Sequence, residues 1–183
     1  MIFTPARLEG VWLVDWQPQR DERGHFARLW CARELAAHGL EANLAQSSLS
    51  FNARAGTLRG LHFQRSPHEE AKLVRCLRGA IWDVAVDLRP DSRRRGHWQG
   101  FELSAENGRA LYIPRGFAHG FQSLTPDSEV LYQISAFYSP EAAAGVRYDD
   151  PAFGITWPLP VACISPRDRA WPDYRATVAA QEA

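Results

Sequence analysis

The stretch Gly56-Thr57-Leu58-Arg59-Gly60-Leu61-His62-Phe63-Gln64 sets a guanidinium and an imidazole into an otherwise apolar strand. Polar groups are costly there unless they have partners or work to do. Histidine changes charge near neutral pH, so proton transfer is work that fits it. An arginine fork suits the oxygens of a phosphate. In a flat strand Arg59 and His62 would face opposite sides, because their spacing is odd. Gly60 is where a bulge could bring both into one cavity. Four further residues carry polar tips: Lys72, Tyr132, Tyr138 and Asp168. Each also has an ordinary reading. Tyr132 suits a core aromatic, Tyr138 a strand-end aromatic, and Asp168 a turn residue in Ser165-Pro166-Arg167-Asp168. Lys72 stands out by count, because it is the single lysine among 21 basic residues.

The elements that must position these groups read mostly as strands between Gly, Pro, Asn and Asp turns. Leu73-Val74-Arg75-Cys76-Leu77 leads through Arg78-Gly79 to a long strand over 80–88, followed by strands over 98–103, 110–113 and 130–135. In the 81–88 strand, alternation places Asp83, Ala85 and Asp87 on one face and Trp82, Val84, Val86 and Leu88 on the other. A carboxylate such as Asp83 on so apolar a strand needs a partner if it is buried. Helical pattern is scarce: one short helix over 31–39, ended by Gly39, and a second over 172–183. Many short strands of this kind predict a sandwich or jelly roll.

Composition narrows the function classes. A chain of 183 residues predicts one domain, 1–183, and 45% hydrophobic residues can build its core. Lys+Arg and Asp+Glu are each 21, so the net charge is zero. That argues against a nucleic-acid binder working by bulk phosphate attraction. No apolar run approaches about eighteen residues, so no membrane span is expected. The start, Met1 to Arg7, lacks the apolar region of a signal peptide. Cys31, Cys76 and Cys163 are scattered without a C-x-x-C pair, which predicts a reduced, cytoplasmic chain. There is no G-x-G-x-x-G, no P-loop and no G-x-S-x-G elbow. The run Arg93-Arg94-Arg95 reads as a solvated turn.

Gly108-Arg109-Ala110-Leu111-Tyr112-Ile113-Pro114-Arg115-Gly116-Phe117-Ala118-His119 resembles the second cupin motif. A metal-binding cupin would also supply H-x-H, but here Gly60-Leu61-His62-Phe63-Gln64 has one histidine and no facial set of three N/O ligands is visible. The expectation is an all-β, cupin-type double-stranded β-helix with short peripheral helices and no metal. His119 taken alone reads as a satisfied core histidine. Further matches run nearly the length of the chain: Asp21-Glu22-Arg23-Gly24-His25-Phe26, the Leu58 to Gln64 strand, Lys72-Leu73-Val74-Arg75, Asp83 to Arg89, Asp149-Asp150-Pro151 and Ile164-Ser165-Pro166-Arg167-Asp168. This ordered set resembles the dTDP-4-dehydrorhamnose 3,5-epimerases, the RmlC-like cupins of nucleotide-sugar biosynthesis.

The resemblance implies a homodimer with exchanged N-terminal strands and a nucleotide-diphosphate 4-keto-6-deoxy sugar as substrate. The implied reaction inverts C3, C5 or both without a cofactor. It also implies roles. His62 would be the base, and Asp168 would orient its ring. Tyr132 would be the acid on the opposite face. Lys72 would stabilise the O4 enolate, with Asp83 as helper. Arg23, Arg59 and His119 would take the diphosphate and nearby oxygens, Phe26 and Tyr138 would flank the base, and Gln46 and Arg167 are weaker carry-overs. Three positions depart from the family pattern: Arg28 stands in place of a glutamate, Gln46-Ser47-Ser48 in place of Q-x-N, and Ala143 in place of another glutamate. All three are linked with substrate recognition, so the nucleotide need not be dTDP. The alternatives are a 3,4-ketoisomerase on the same fold, a non-catalytic sugar-binding cupin and, more distantly, a metal-dependent cupin oxygenase.

Overall fold

The computed structural model describes residues 1–174. The strands are β1 (Ile2–Pro5), β2 (Trp12–Asp15), β3 (Gln19–Asp21), β4 (Gly24–Phe26), β5 (Gln46–Asn52), β6 (Thr57–Gln64), β7 (Lys72–Arg78), β8 (Ala80–Asp87), β9 (Trp98–Ser104), β10 (Arg109–Ile113), β11 (Phe117–Ser123), β12 (Ser128–Ile134), β13 (Ala143–Gly145) and β14 (Cys163–Ile164). Helix α1 covers Ala32–Ala37 and α2 covers Pro166–Arg169. One sheet has the order β1-β2-β10-β7-β12-β5, and the other β13-β6-β11-β8-β9 with β14 beside β6. All pairings are antiparallel except β14 with β6. This is a jelly roll of the cupin type. β3 and β4 form a separate hairpin. Among the described residues no helix is long and apolar enough to cross a membrane.

Strand alternation builds three apolar layers. Between the sheets, Val74 and Val130 from one meet Ile81, Ala85, Leu103 and Phe121 from the other. The opposite face of β8 carries Val84 and Val86, which with Leu61 and Ala118 are covered by Val146, Phe153 and Trp157. On the outside of the first sheet, Leu73, Ala110 and Tyr112 pack against Leu35 of α1. Both faces of β8 are therefore buried, and its two carboxylates, each 0% exposed, need partners. Asp87 is met by Arg89 at 2.7 Å and Ser92 at 2.6 Å. Asp83 is met by His119.

The helices differ in detail from the sequence expectation. The first is shorter, and Gly39 closes it with φ +70. The second expected helix, over 172–183, lies outside the described residues except at 172–174. The segment read as a turn at Asp168 instead forms α2, with Pro166 near its start and the Ser165 hydroxyl accepting from Asp168 N at 3.0 Å.

The pairing of β6 with β11 sets His119 opposite His62 and Phe121 opposite Arg59, with a register shift between. Gly60 sits at that irregularity with φ +133. A Cβ there would lie 2.6 Å from Gly120 Cα and 3.1 Å from the His119 carbonyl. Backbone cannot yield as a flexible side chain does, so Gly60→Ala is expected to destabilise the protein by about 3 kcal/mol in urea unfolding. A loss below about 1 kcal/mol would show that the close approach is not needed.

Candidate active site

The bulge turns Arg59 and His62 to the same side, into a cavity of about 350 Å³ between the two sheets. The second sheet contributes Arg59 and His62 from β6 and His119 from β11. The first contributes Lys72 from β7, Tyr132 from β12, and Ser48 and Ser50 from β5. Glu70, Tyr138, Ala143 and Arg167 also line it.

His62 Nε2 lies 2.6 Å from Asp168 Oδ1. An ionised carboxylate can only accept, so Nε2 carries a proton, and in the neutral ring the lone pair is on Nδ1. The buried Asp168 also accepts from Gly60 N at 3.2 Å and Trp171 Nε1 at 3.2 Å. Burial alone would raise this carboxyl. The His62 hydrogen bond and charge, with the Gly60 and Trp171 donors, outweigh burial and hold it below the usual carboxylate value. A lowered folded-state pKa means stability present above the unfolded value, about 3.9, and lost as pH falls through the folded one. Asp168→Asn is therefore expected to cost about 1–2 kcal/mol at pH 7. The gap to the native protein should narrow as melting is followed below about pH 4. A gap that stays constant with pH would contradict the assigned ionisation.

Tyr132 lies on the facing sheet. Burial first, then the negative charge of Asp83, pushes its phenol well above the ordinary value, with Arg59 opposing. Tyr132 therefore holds its proton at neutral pH. Its ring meets His119 edge-on at 5.9 Å.

Lys72 is 8% exposed. Its Nζ donates to Glu70 Oε1 at 3.0 Å and to the His62 carbonyl at 3.4 Å. This corrects the expectation that Asp83 assists Lys72. Asp83 sits on β8, the strand next to β11 in the same sheet, and holds His119 Nε2 through both carboxylate oxygens at 3.0 Å. His119 thus lines the cavity as a buried, clamped ring.

At the rim, Arg59 is braced by Asn52 Oδ1 at 2.8 Å and the Phe51 carbonyl at 3.2 Å. Arg167 lies over the Trp171 ring at 4.9 Å. Gln46 does not line the cavity but accepts from Tyr138 N at 2.6 Å, tying down the backbone that carries the Tyr138 ring. Arg28 pairs with Glu34 at 2.8 Å, away from the cavity lining. Arg23 and Phe26 are not brought to this cavity within one chain. They belong to the β3–β4 hairpin, where Arg23 pairs with Asp21 at 2.6 Å and Phe26 is 75% exposed.

Among the site's neighbours that escaped the sequence reading, Glu70 and Trp171 contact the proposed catalytic groups directly. Glu70 precedes Lys72 by two positions, and alternation in an extended segment puts such residues on one side. Trp171 follows Asp168 by three, the spacing of neighbours on a helical turn. Among the described residues no group of three or more His, Cys, Asp or Glu side chains is arranged to hold a metal.

A jelly-roll cupin with a histidine–carboxylate pair on one wall, and a tyrosine and a lysine on the other, defines a class of protein equipped to move protons at a bound small molecule. The family model of dTDP-4-dehydrorhamnose 3,5-epimerase matches residues 5–176. The enzyme of that name from Methanothermobacter thermautotrophicus is 43% identical over 176 residues, covering 94% of this chain and 94% of its own. The one from Sinorhizobium fredii is 41% identical over 173 residues, covering 94% and 89%. Among solved structures, dTDP-4-dehydrorhamnose 3,5-epimerase of Elizabethkingia anophelis superposes with a TM-score of 0.92 at 37% identity, covering 96% of this chain and 97% of its own. A 4-keto-6-deoxy sugar epimerase from the novobiocin cluster of Streptomyces spheroides gives 0.93 at 36% identity, covering 99% and 91%. The chain belongs to the dTDP-4-dehydrorhamnose 3,5-epimerase family and is an epimerase.

Proposed function

We propose that the protein inverts C3, C5 or both of a nucleotide-linked 4-keto-6-deoxy sugar, through an enolate and without a cofactor. The observation that carries this is the placement of His62 and Tyr132 on opposite sheets of one cavity, with Lys72 beside them. The C4 ketone acidifies the protons on both neighbouring carbons. His62 Nδ1 takes one of these protons, Asp168 holding the imidazole in the tautomer that leaves Nδ1 free. Charge develops on O4, where the Lys72 ammonium stabilises it. Tyr132 returns a proton to carbon from the other face, which inverts the centre, and solvent then restores both groups. Arg59 and Arg167 at the rim suit the diphosphate, and the Tyr138 ring flanks the base.

The functional unit in this reading is one cupin domain over 1–183, working as a homodimer. Phe26 and Arg23 project from a hairpin remote from their own cavity, and Leu49 and Phe51 of edge strand β5 are also exposed. Exchange of N-terminal strands would bring the partner subunit's Arg23 and Phe26 to the diphosphate and the base. A monomer in sedimentation velocity at micromolar concentration would remove this part. Three free cysteines support a reducing, cytoplasmic setting; a disulfide in protein isolated from cells would count against it.

The test of the reaction is an NMR product assay in deuterated water with a panel of nucleotide 4-keto-6-deoxy sugars. Deuterium at C3 or C5 with inversion is expected. A shifted carbonyl would mean an isomerase, and binding without exchange across the panel a sugar-binding cupin. The nucleotide is set apart from this. Ser48 and Ala143 line the cavity where the family pattern has larger polar groups, which supports recognition of a nucleotide other than dTDP. Clear preference for dTDP over GDP, CDP and UDP in binding would remove that part alone.

A further inference from the structure

The reaction outlined above leaves one charged group of the cavity without a task. Glu70 lines the cavity and its side chain is only 8% exposed. Oε1 accepts from Lys72 at 3.0 Å, but among the described residues nothing donates to the buried Oε2. A buried acceptor without a donor costs about 1–3 kcal/mol, and more when it is charged. A carboxylate on Lys72 also neutralises the cation that the enolate needs, so its presence calls for a use.

We propose that Glu70 determines specificity by accepting a hydrogen bond from the C3 hydroxyl of the sugar while Lys72 holds the ketone oxygen on C4. This rests on the epimerase reading. The donor and acceptor pattern matches. A ketone oxygen only accepts, which suits an ammonium, and a hydroxyl can donate, which suits a carboxylate. A 4-keto-6-deoxyhexose linked through C1 has hydroxyls on C2 and C3, and only the one on C3 neighbours the ketone. Oxygens on adjacent ring carbons lie about a hydrogen-bond length apart, and so do Lys72 Nζ and Glu70 Oε1. The terminal torsion of a glutamate is soft, so a small rotation turns the unpartnered oxygen to the cavity while the other keeps Lys72. The donor that completes Glu70 is then part of the substrate, and its arrival draws carboxylate charge away from the ammonium.

The test is a cycle over enzyme and substrate, reading kcat/KM for solvent-deuterium exchange at C5. The probes are dTDP-4-keto-6-deoxyglucose, or its GDP, CDP or UDP form where that is the one the native enzyme exchanges, and the 3-deoxy counterpart on the same nucleotide. Glu70→Leu is expected to lower exchange on the 3-hydroxy probe by about 100-fold, with a loss at least about tenfold smaller on the 3-deoxy probe. Any effect of leaving Lys72 unpaired falls on both probes and cancels. Glu70→Gln, which keeps an acceptor oxygen without charge, is expected to lose about tenfold on the 3-hydroxy probe. If the leucine variant does not fold, the glutamine variant and the native enzyme's own ratio between the probes carry the test. Equal losses on both probes would overturn the proposal and leave Glu70 as a positioning partner of Lys72. Native enzyme that exchanges neither probe, nor any other 4-keto sugar of the panel, would overturn the epimerase reading and this proposal with it.

Discussion

His62→Ala is expected to slow solvent-deuterium incorporation at C3 and C5 by about 10³-fold, within the range that a positioned general base contributes. The fold should survive. The imidazole faces the cavity and is half exposed, so its removal opens no sealed core. Asp168 would keep two of its donors, Gly60 N and Trp171 Nε1, so its carboxylate is not orphaned. Near-native circular dichroism with lost exchange is the expected pair of observations. Folding preserved with exchange unchanged would remove His62 as the base. A variant that fails to fold would show instead that the His62–Asp168 bond anchors α2 against β6.

Lys72→Arg is expected to lower turnover by about 10²-fold although it conserves the charge. The ammonium occupies a nearly closed space between Glu70 and the His62 carbonyl. A guanidinium is larger and planar, and its fork matches a carboxylate in two-point fashion. Glu70 stands ready to capture it, which would turn the charge away from O4. Steady-state rates on any 4-keto sugar that the native enzyme exchanges will check this, and near-normal activity would remove Lys72 from the mechanism. The composition gains meaning here. A chain that otherwise uses arginine for its basic residues keeps its one lysine at a buried site where a compact ammonium and a guanidinium are not equivalent.

Much of the scaffold was legible because it depends on local rules. The period of two along 80–88 identified a strand with Asp83 and Asp87 on one face, and β8 has that form. Gly60 in a polar-studded strand marked the bulge, and the register shift of β6 on β11 lies there. α2 was missed because it spans a single turn, too short for any periodicity to register. The expectation that Asp83 serves Lys72 failed for a different reason. Both lie on strands facing the barrel interior, but β8 runs beside β11 and so presents Asp83 to His119.

The chain alone therefore determined the element types, the jelly-roll class and the identity of the polar groups worth watching, because side-chain direction in a strand follows from parity. Tertiary structure decided who meets whom. His62 and Asp168 are 106 residues apart, and their bond exists because β14 lies parallel to β6 and delivers α2 to the cavity. The facing of His62 by Tyr132 follows from their sheets closing over one core. The withdrawal of Arg23 and Phe26 follows from a hairpin that, among the described residues, pairs with no other strand. The unfilled acceptor on Glu70 became visible only when every neighbour had a position, since a missing donor is a property of the packed site and not of any spacing along the chain.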